Sequence, residues 1–296
     1  MTRTIELPVI AGAPCNKSGR DFFTLADDMS QIADIAETLA PDGHARRDCK
    51  ASNKWTGGID FADAVTMTRA GDMGRVAPSD KYLAQFESLA PMRAAWRTID
   101  DVAGALPNIP AYLAGTPLTM RRRARVMSEQ APLTIVVDVA SSGGIDAKQL
   151  EKRGAAILAL VRGLAAVRPV SLWAGVSATP AGRSKDGAWH VFTRIETAPL
   201  DLARAAHFLS CPAVARALLY GIIHKAAGNE KTDSLAWPYR DHEFSRKNGR
   251  DIVGRVMGGD DVFYVAPPHI NDAIVSKPDA WLEDAIKTWG GIDVSA

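Results

Sequence analysis

Residues 132–176 read PLTIVVDVASSGGIDAKQLEKRGAAILALVRGLAAVRPVSLWAGV, and they decide the fold class. Leu133–Asp138 and Pro169–Val176 are short apolar runs rich in β-branched residues, which is typical of strands buried on both faces. Between them, small and apolar residues recur every three or four positions along one side of a predicted helix: Leu150, Gly154, Ile157, Val161 and Leu164. A strand, a glycine-rich turn, a helix and a strand make a βαβ unit, so the two strands are predicted to be parallel neighbours.

The elements that follow extend this unit into an α/β domain. We expect two more strands, of which the first pairs with its predecessor as a hairpin, and three more helices. The strands are Trp189–Glu196 and Asp261–Ala266, and the helices are Leu200–Leu209, Ala213–Ala226 and Pro278–Trp289. Residues 229–250 are expected to form a long polar loop. Residues 132–296 are therefore predicted to form an open, mostly parallel sheet with flanking helices.

Residues 1–131 have a different character. Residues 1–25 contain frequent glycine and proline and follow no regular period, so they are expected to be irregular. Helices are predicted after them: Asp28–Leu39, Ile59–Ala70, Ser79–Ala105 with a break at Pro91, and Leu118–Met127. Residues 1–131 are therefore predicted to be a mainly helical and irregular region. This region is either a separate subdomain or a cover for the sheet.

The composition favours a cytoplasmic protein. Of 296 residues, 47% are hydrophobic, which is enough for a sizeable core. The formal net charge of +1 argues against a surface built entirely for nucleic acid but leaves local basic patches open. Apolar runs reach neither the length of a membrane helix nor that of a signal-peptide core. The three cysteines are widely spaced and are expected to be reduced thiols.

The turn after the predicted strand Leu133–Asp138 is the best candidate for a binding or catalytic site. Asp138, Ser141 and Ser142 are predicted to lie at the carboxyl end of a strand, where ligands bind in open α/β sheets. A carboxylate with hydroxyl groups suits Mg²⁺, which prefers oxygen ligands. The alternative is an ordinary turn in which Ser142 and Asp146 cap the next helix.

Two further groups of residues are candidates for binding. Arg121, Arg122 and Arg125 form a compact positive cluster that suits phosphate groups, or else a solvated helix face in which Arg123 or Arg125 pairs with Glu129. Trp55 stands beside a glycine-rich loop, where an exposed aromatic ring can stack on a base or fill a partner's pocket. Burial is the commoner fate of such a ring. His207, four residues before Cys211, is expected to be a packing residue because no second pair completes a metal site.

The order of these elements resembles that of von Willebrand factor A-type domains over about residues 132–270. Those domains bind a divalent metal through an Asp-x-Ser-x-Ser turn after their first strand. Here Asp138 and Ser142 match this turn, while Ala140 replaces the middle serine. Because the replacement removes one oxygen ligand, no tight metal site is expected. Asp138, Ser142 and Thr179, which follows the second strand, are the weak candidates for holding Mg²⁺.

Several short segments are similar to sequences of an uncharacterised family of bacteriophage and prophage proteins. They lie at residues 55–58, 109–120, 153–160, 199–202, 212–216 and 280–281. This resemblance implies a phage or mobile-element origin and no particular activity. Sequences typical of the P-loop, the dinucleotide-binding turn, the serine nucleophile elbow and the zinc-protease helix are absent from the chain.

Two functions from different classes follow as expectations. The first is a non-enzymatic interaction protein that binds a protein partner or nucleic acid through an A-type-like α/β domain in the cytoplasm of a bacterial host. The second is a Mg²⁺-dependent enzyme that acts on phosphate esters, using Asp138 and the neighbouring hydroxyl groups.

Overall fold

The computed structural model describes residues 3–8, 20–38, 54–89, 95–126, 132–141, 144–179, 188–226, 237–238 and 262–289. Within these residues the chain forms a seven-stranded mixed sheet flanked by helices and a separate three-stranded sheet. The strands of the large sheet are β1 Arg3–Pro8, β2 Arg20–Ala26, β6 Leu133–Asp138, β7 Val170–Thr179, β8 Ala188–Ile195, β9 Trp237–Pro238 and β10 Val262–Val265. Those of the small sheet are β3 Ala95–Asp101, β4 Leu106–Pro107 and β5 Met120–Val126.

The strand order of the large sheet is β1-β2-β8-β7-β6-β10, and β9 pairs with the end of β7. The five neighbouring strands from β2 to β10 are mostly parallel: β2 pairs parallel with β8, and β6 pairs parallel with both β7 and β10. Only β7 and β8 run antiparallel among these five, as the predicted hairpin requires. The prediction of an α/β fold with a mostly parallel sheet is therefore confirmed.

The predicted βαβ unit is present. Leu133 of β6 lies opposite Val170 of β7, and the register continues to Asp138 opposite Gly175. Helix α5 (Ala147–Ala165) connects the two strands. Its amino end is a capping box in which the Asp146 carboxylate accepts from the Gln149 amide at 2.7 Å, and the Gln149 side chain accepts from the Asp146 amide at 3.0 Å. Asp146 therefore caps the helix, as the interpretation of this segment as an ordinary turn predicts.

The other helices pack against α5, against one another or against the strands of the large sheet. They are α1 Met29–Thr38, α2 Phe61–Ala70, α3 Ala77–Leu89, α6 Leu202–Ser210, a π-helical turn Val214–Leu219, α7 Tyr220–Ala226, α8 Ala273–Ser276 and α9 Pro278–Trp289. Helix α4 (Ile109–Leu113) lies in the chain between strands β4 and β5 of the small sheet. The main core contains residues of these helices together with every second residue of the strands, including Ile135 and Val137. The intervening Val136 points to the opposite face and joins a smaller cluster with Trp173 and Phe192.

The N-terminal region departs from its prediction in two places. Strands β1 and β2 occupy residues that were expected to be irregular, and β2 joins the large sheet beside β8. Phe22, Phe23 and Thr24 have high strand propensity, but the partner strand lies far away in the sequence, so local patterning does not reveal it. Helices α1 and α2 confirm the predicted helices at residues 28–39 and 59–70. The domain boundary at residues 131–132 stays a prediction.

The small sheet replaces two predicted helical segments. The helix predicted over residues 79–105 ends at Leu89, and residues 95–101 form β3 instead. Pro91 lies in residues 90–94, outside the described part, and proline disfavours a helical residue before it. The helix predicted over residues 118–127 is wrong: Met120–Val126 is strand β5, paired antiparallel with β3 and β4. Pairing with β3 overrides the weak helical preference of the arginine-rich segment.

No single helix in the described ranges is long and apolar enough to cross a membrane, although the bent pair Leu202–Ser210 and Val214–Ile223 meets the length and composition test together. These segments lie in the core, where the side chains of residues 205–223 are buried. Within the residues that the structure describes, two positions of the predicted polar loop at 229–250 form the short strand β9.

We predict that Gly154→Ala lowers the free energy of unfolding by roughly 1–3 kcal/mol, the usual effect of overpacking. A Cβ atom at Gly154 would lie 2.4 Å from the Leu209 carbonyl oxygen and 2.4 Å from the Ser210 Cα, so α5 and α6 would have to separate. This cost exceeds the roughly 1 kcal/mol by which alanine favours a helix. Lys152→Ala, at an exposed position of the same helix, is the matched control. Urea unfolding in which both variants match the parent would contradict the prediction.

Candidate functional site

The carboxyl ends of β6, β7 and β10 meet at one edge of the large sheet, and Asp138 lies there as the last residue of β6. Its side chain is fully buried. Oδ1 accepts a hydrogen bond from the Ala140 amide at 2.9 Å. Oδ2 accepts from the Ser177 amide at 3.1 Å and from the Tyr264 hydroxyl at 3.2 Å. The carboxylate therefore binds together its own turn and the two neighbouring strands.

Further buried polar groups surround this carboxylate. The Ser177 hydroxyl lies 2.9 Å from His190 Nδ1, and both residues are 4% exposed. The Tyr220 hydroxyl accepts from the Ser141 amide at 3.4 Å. Within the described residues the Ser141 hydroxyl has no hydrogen-bond partner. Together these side chains form a buried polar cluster at the strand ends, defined by Asp138, Ser141, Ser177, His190, Tyr220 and Tyr264.

Arg153 of helix α5 connects the helix to this cluster. Its guanidinium donates to the Asp138 carbonyl at 2.8 Å and to the Ala266 carbonyl at 3.3 Å, and the residue is 1% exposed. Burial lowers the pKa of Arg153 to about 10, whereas the nearby Asp138 charge acts in the opposite direction. Arg153 therefore remains charged at neutral pH.

The ionisation of Asp138 reflects the same burial. Removal from water raises the pKa of this carboxyl to about 6. The hydrogen bonds from Ala140 and Ser177 and the charge of Arg153 oppose this rise without cancelling it. At neutral pH the residue is mostly ionised and makes a charge-assisted contact with each of its donors. Its protonation begins only slightly below neutrality.

The geometry around Asp138 gives little room for a metal ion. Both carboxylate oxygens already accept hydrogen bonds, and the side chain has no exposed surface. Among the residues that the structure describes, no group of three acidic, histidine or cysteine side chains is placed to hold a metal. Ser142 and the side chain of Thr179 lie outside the described part. Their role as weak metal candidates stays a prediction.

Trp55 is a packing residue in this structure. It is half-buried and packs against the main core. The guanidinium of Arg216 lies 5.1 Å from the centre of its ring, a cation–π contact. Arg216 also donates to the Trp55 carbonyl at 2.8 Å and to the Ile145 carbonyl at 2.6 Å, which joins this segment to the turn before α5. The predicted role of Trp55 in binding stays untested.

The arginine cluster lies on a strand, which separates its members. Alternation along β5 places Arg121 on one face of the small sheet and Arg122 on the other. Arg121 pairs with Asp100 at 3.3 Å, and Arg122 pairs with Asp101. Both arginine side chains are about half exposed, so these ion pairs are weak. Glu129 and the side chain of Arg125 lie outside the described part.

An exposed apolar cluster on the small sheet was missed by sequence reasoning. In the described ranges nine large hydrophobic side chains are exposed, and six of these are within residues 102–118. They are Val102, Leu106, Ile109, Tyr112, Leu113 and Leu118, at 44–79% exposure. We call these six residues the apolar cluster. The sequence did contain a signal for this cluster. Large apolar residues are frequent in residues 102–118, but the glycines and prolines of this segment interrupt any helical or strand period that would bury them on one face.

A second feature lies away from these residues. A surface pocket of about 270 Å³ is lined by Asp72, Gly74, Arg75, Pro78, Glu151 and Ser210. Arg75 forms ion pairs there with Asp72 at 3.1 Å and with Glu151 at 3.2 Å.

The fully buried His207 lies 3.4 Å from the Thr68 hydroxyl. Burial is the main cause that lowers its pKa to about 4, so it is neutral at physiological pH.

Asp138 and His207 are expected to affect stability in opposite directions as pH falls. The folded-state pKa of Asp138 is raised from 3.8 to about 6, so its contribution is full below pH 4 and is lost as pH rises through 6. The folded-state pKa of His207 is lowered from 6.5 to about 4, so its contribution is full above pH 6.5 and is lost as pH falls towards 4. Each effect is on the order of 2–3 kcal/mol.

Urea unfolding of the parent, Asp138→Asn and His207→Asn between about pH 4 and pH 7.5 measures both effects. Relative to the parent, Asp138→Asn should lose stability as pH falls, and His207→Asn should gain it. The other carboxyl groups are common to all three proteins and cancel in these differences. Differences that do not vary with pH would contradict the assignment.

Comparison with known families places most of the chain in one of them. A family model described as a domain of unknown function, DUF7192, matches residues 14–253. The match extends across the whole apolar cluster and the Asp138 turn. Comparisons with curated proteins and with solved structures give no match. The chain therefore belongs to the DUF7192 family of domains of unknown function.

Proposed function

We propose that this protein is a non-enzymatic interaction protein that binds a second, different protein through the apolar cluster of the small sheet. The observation that carries the proposal is the concentration of exposed large apolar side chains in residues 102–118. Scattered exposed apolar residues are normal on a protein surface, whereas contiguous patches mark interaction sites. The large sheet and its helices then act as the scaffold that presents this cluster.

The arrangement of the cluster suits a binding surface. Ile109, Tyr112 and Leu113 are three and four positions apart on helix α4, so they share one face. Tyr112 is 71% exposed and Leu113 is 79% exposed. Asn108 accepts from the Ala111 amide and donates to Asp100 at 3.0 Å, which fixes this turn against β3. Exposed aromatic and apolar side chains on a held backbone lose little entropy when they enter a partner's pocket.

The charge of the small sheet argues against a second copy of the chain as the partner. Residues 95–126 contain five arginines and two aspartates, a net charge of +3, while the whole chain carries +1. Two such surfaces brought face to face would repel each other. A different protein, with an apolar groove that accepts Tyr112 and Leu113, meets no such repulsion.

The resemblances found in the sequence extend this proposal to the scaffold and to its origin. The order β8-β7-β6-β10, with only β8 antiparallel, supports the likeness to von Willebrand factor A-type domains. The sequence segments that are similar to phage and prophage proteins support a phage or mobile-element origin. We therefore propose that the partner is met in the cytoplasm of a bacterial host.

The alternative, a Mg²⁺-dependent enzyme that uses Asp138, has less support because that carboxylate is buried and already hydrogen-bonded. Mg²⁺ or Mn²⁺ should therefore leave the melting temperature unchanged. A ligand at a hundredfold excess over its Kd would add about 2.7 kcal/mol to stability. Metal stabilisation of the parent that disappears in Asp138→Asn would favour the enzyme.

Photo-crosslinking tests the protein-binding proposal. A benzoylphenylalanine in place of Tyr112 should capture one partner in host cells, and the purified partner is then titrated calorimetrically. Tyr112→Ala/Leu113→Ala should weaken binding at least tenfold, because exposed aromatic anchors commonly contribute about 2 kcal/mol or more. Met73→Ala is the matched control, since Met73 is 65% exposed outside the cluster.

Three results would overturn the proposal. They are unchanged affinity in the Tyr112→Ala/Leu113→Ala variant, an equal loss in Met73→Ala, and crosslinking only between copies of the chain. Sedimentation of the purified protein checks the last of these, because a dimer that dissociates in the double variant would identify a second copy as the occupant.

A further inference from the structure

The surface pocket that α5 and α6 line is built from three segments of the chain. Its volume is about 270 Å³, and its walls come from residues 72–78, from Glu151 of α5 and from Ser210 at the end of α6. The Asp72 amide donates to the Ala203 carbonyl at 3.0 Å, which holds the first segment against α6. Pockets for drug-sized ligands enclose roughly 300–1,000 Å³. This pocket is slightly smaller and therefore suits a small metabolite.

Arg75 lines the pocket with part of its guanidinium unpaired. Its side chain is only 16% exposed. Nε forms an ion pair with Asp72 at 3.1 Å, and Nη1 donates to Glu151 Oε1 at 3.2 Å and to the Ser210 carbonyl at 3.4 Å. Nη2 has no acceptor among the residues that the structure describes. This nitrogen can therefore donate to an oxygen atom of a ligand.

The remaining polar groups of the pocket are acceptors. The Glu151 side chain is 42% exposed, and its Oε2 receives no hydrogen bond from the described part of the chain. The Ser210 carbonyl lies at the carboxyl end of α6, where the helix dipole adds partial negative charge. Asp72, Glu151 and Arg75 together give the pocket a formal charge of −1. A ligand with a cationic group is therefore attracted to the pocket, whereas a simple anion is not.

We propose that this pocket binds a free α-amino acid, with its ammonium group on Glu151 and its carboxylate on Arg75. This is a second binding function, separate from the apolar cluster. Glu151 Oε1 and Arg75 Nη1 are 3.2 Å apart, so the unpaired atoms Oε2 and Nη2 belong to adjoining groups that one small molecule can reach. An α-amino acid carries an ammonium and a carboxylate on the same carbon atom. It therefore makes a charge-assisted hydrogen bond with each of the two unpaired atoms.

The walls of the pocket also restrict the choice of amino acid. Asp72 and Glu151 repel a second carboxylate, so amino acids with an acidic side chain are expected to bind poorly. Pro78 is the one apolar side chain among the lining residues, and Gly74 leaves space beside it. The ligand is therefore an amino acid with an uncharged or basic side chain. The amino terminus of a peptide offers a carbonyl in place of the carboxylate, so it makes a weaker contact with Arg75.

Thermal unfolding of the full chain with each standard amino acid, added singly at about 10 mM, tests the inference, because a ligand of the folded state raises the melting temperature. The amino acid with the largest effect is then titrated calorimetrically, and a Kd of about 1 mM or tighter is expected. Its N-acetyl derivative lacks the ammonium, and the corresponding amine lacks the carboxylate. Each of these should bind at least about tenfold more weakly, because one charge-assisted hydrogen bond is lost.

Glu151→Gln should weaken binding of the same amino acid at least about tenfold, because an amide nitrogen cannot accept a hydrogen bond from an ammonium. The glutamine oxygen can still accept from Arg75 Nη1. Glu87→Gln is the matched control, since Glu87 is exposed on α3 and does not line the pocket. It should leave the affinity within about twofold, as expected for a distant site. Circular dichroism checks that both variants are folded, and the ligand series on the parent decides the question if Glu151→Gln is not.

The inference is overturned if no standard amino acid stabilises the parent, or if the N-acetyl derivative or the amine binds as tightly as the amino acid. Unchanged affinity in Glu151→Gln, or an equal loss in Glu87→Gln, overturns it too. Tyr112→Ala/Leu113→Ala should bind the amino acid as the parent does. This variant separates failure of the amino-acid site from failure of the protein-binding proposal.

Discussion

The buried contact between Arg153 and the end of strand β6 fixes the relation of helix to sheet in this fold. Its guanidinium donates to the Asp138 carbonyl and to the Ala266 carbonyl after β10, so one side chain connects α5 to two parallel strands. A buried unpaired guanidinium would be very costly, and the nearby Asp138 carboxylate offsets that cost. Because helices α3, α6, α8 and α9 pack against α5, their positions relative to the sheet depend on this contact.

The Asp138 carboxylate stands where ligands bind in open α/β sheets, but its oxygens already accept hydrogen bonds within the protein. The carboxylate accepts hydrogen bonds from Ala140, Ser177 and Tyr264, and these are the contacts that water or a metal would otherwise supply. In an open α/β sheet the strand ends leave backbone groups that need partners. Here protein side chains provide these partners, and the polar cluster closes the edge of the sheet.

Sequence patterning found the central elements because their signals are local. The apolar runs of β6 and β7 and the apolar stripe along α5 can each be recognised within a single short stretch of sequence. Asp146 was identified as a cap for the same reason. Strands β2 and β5 were missed because their stability comes from pairing with distant or neighbouring strands, which residue spacing does not encode. Ser177, His190 and Tyr264 were missed because only the fold brings them to Asp138.

The error over residues 118–127 changes the chemistry inferred from the arginines. On a helix, Arg121, Arg122 and Arg125 would be neighbours by their spacing of three and four. On strand β5 successive residues alternate between the two faces, so Arg121 and Arg122 lie on opposite faces of the small sheet. The strand therefore separates two arginines that a helical segment would have kept in one cluster. The total charge of +1 conceals the basic character of residues 95–126, because their charge of +3 is offset by acidic residues elsewhere. The near-neutral composition therefore reflects an uneven distribution of charge, and the exposed apolar and basic residues are concentrated together on the small sheet.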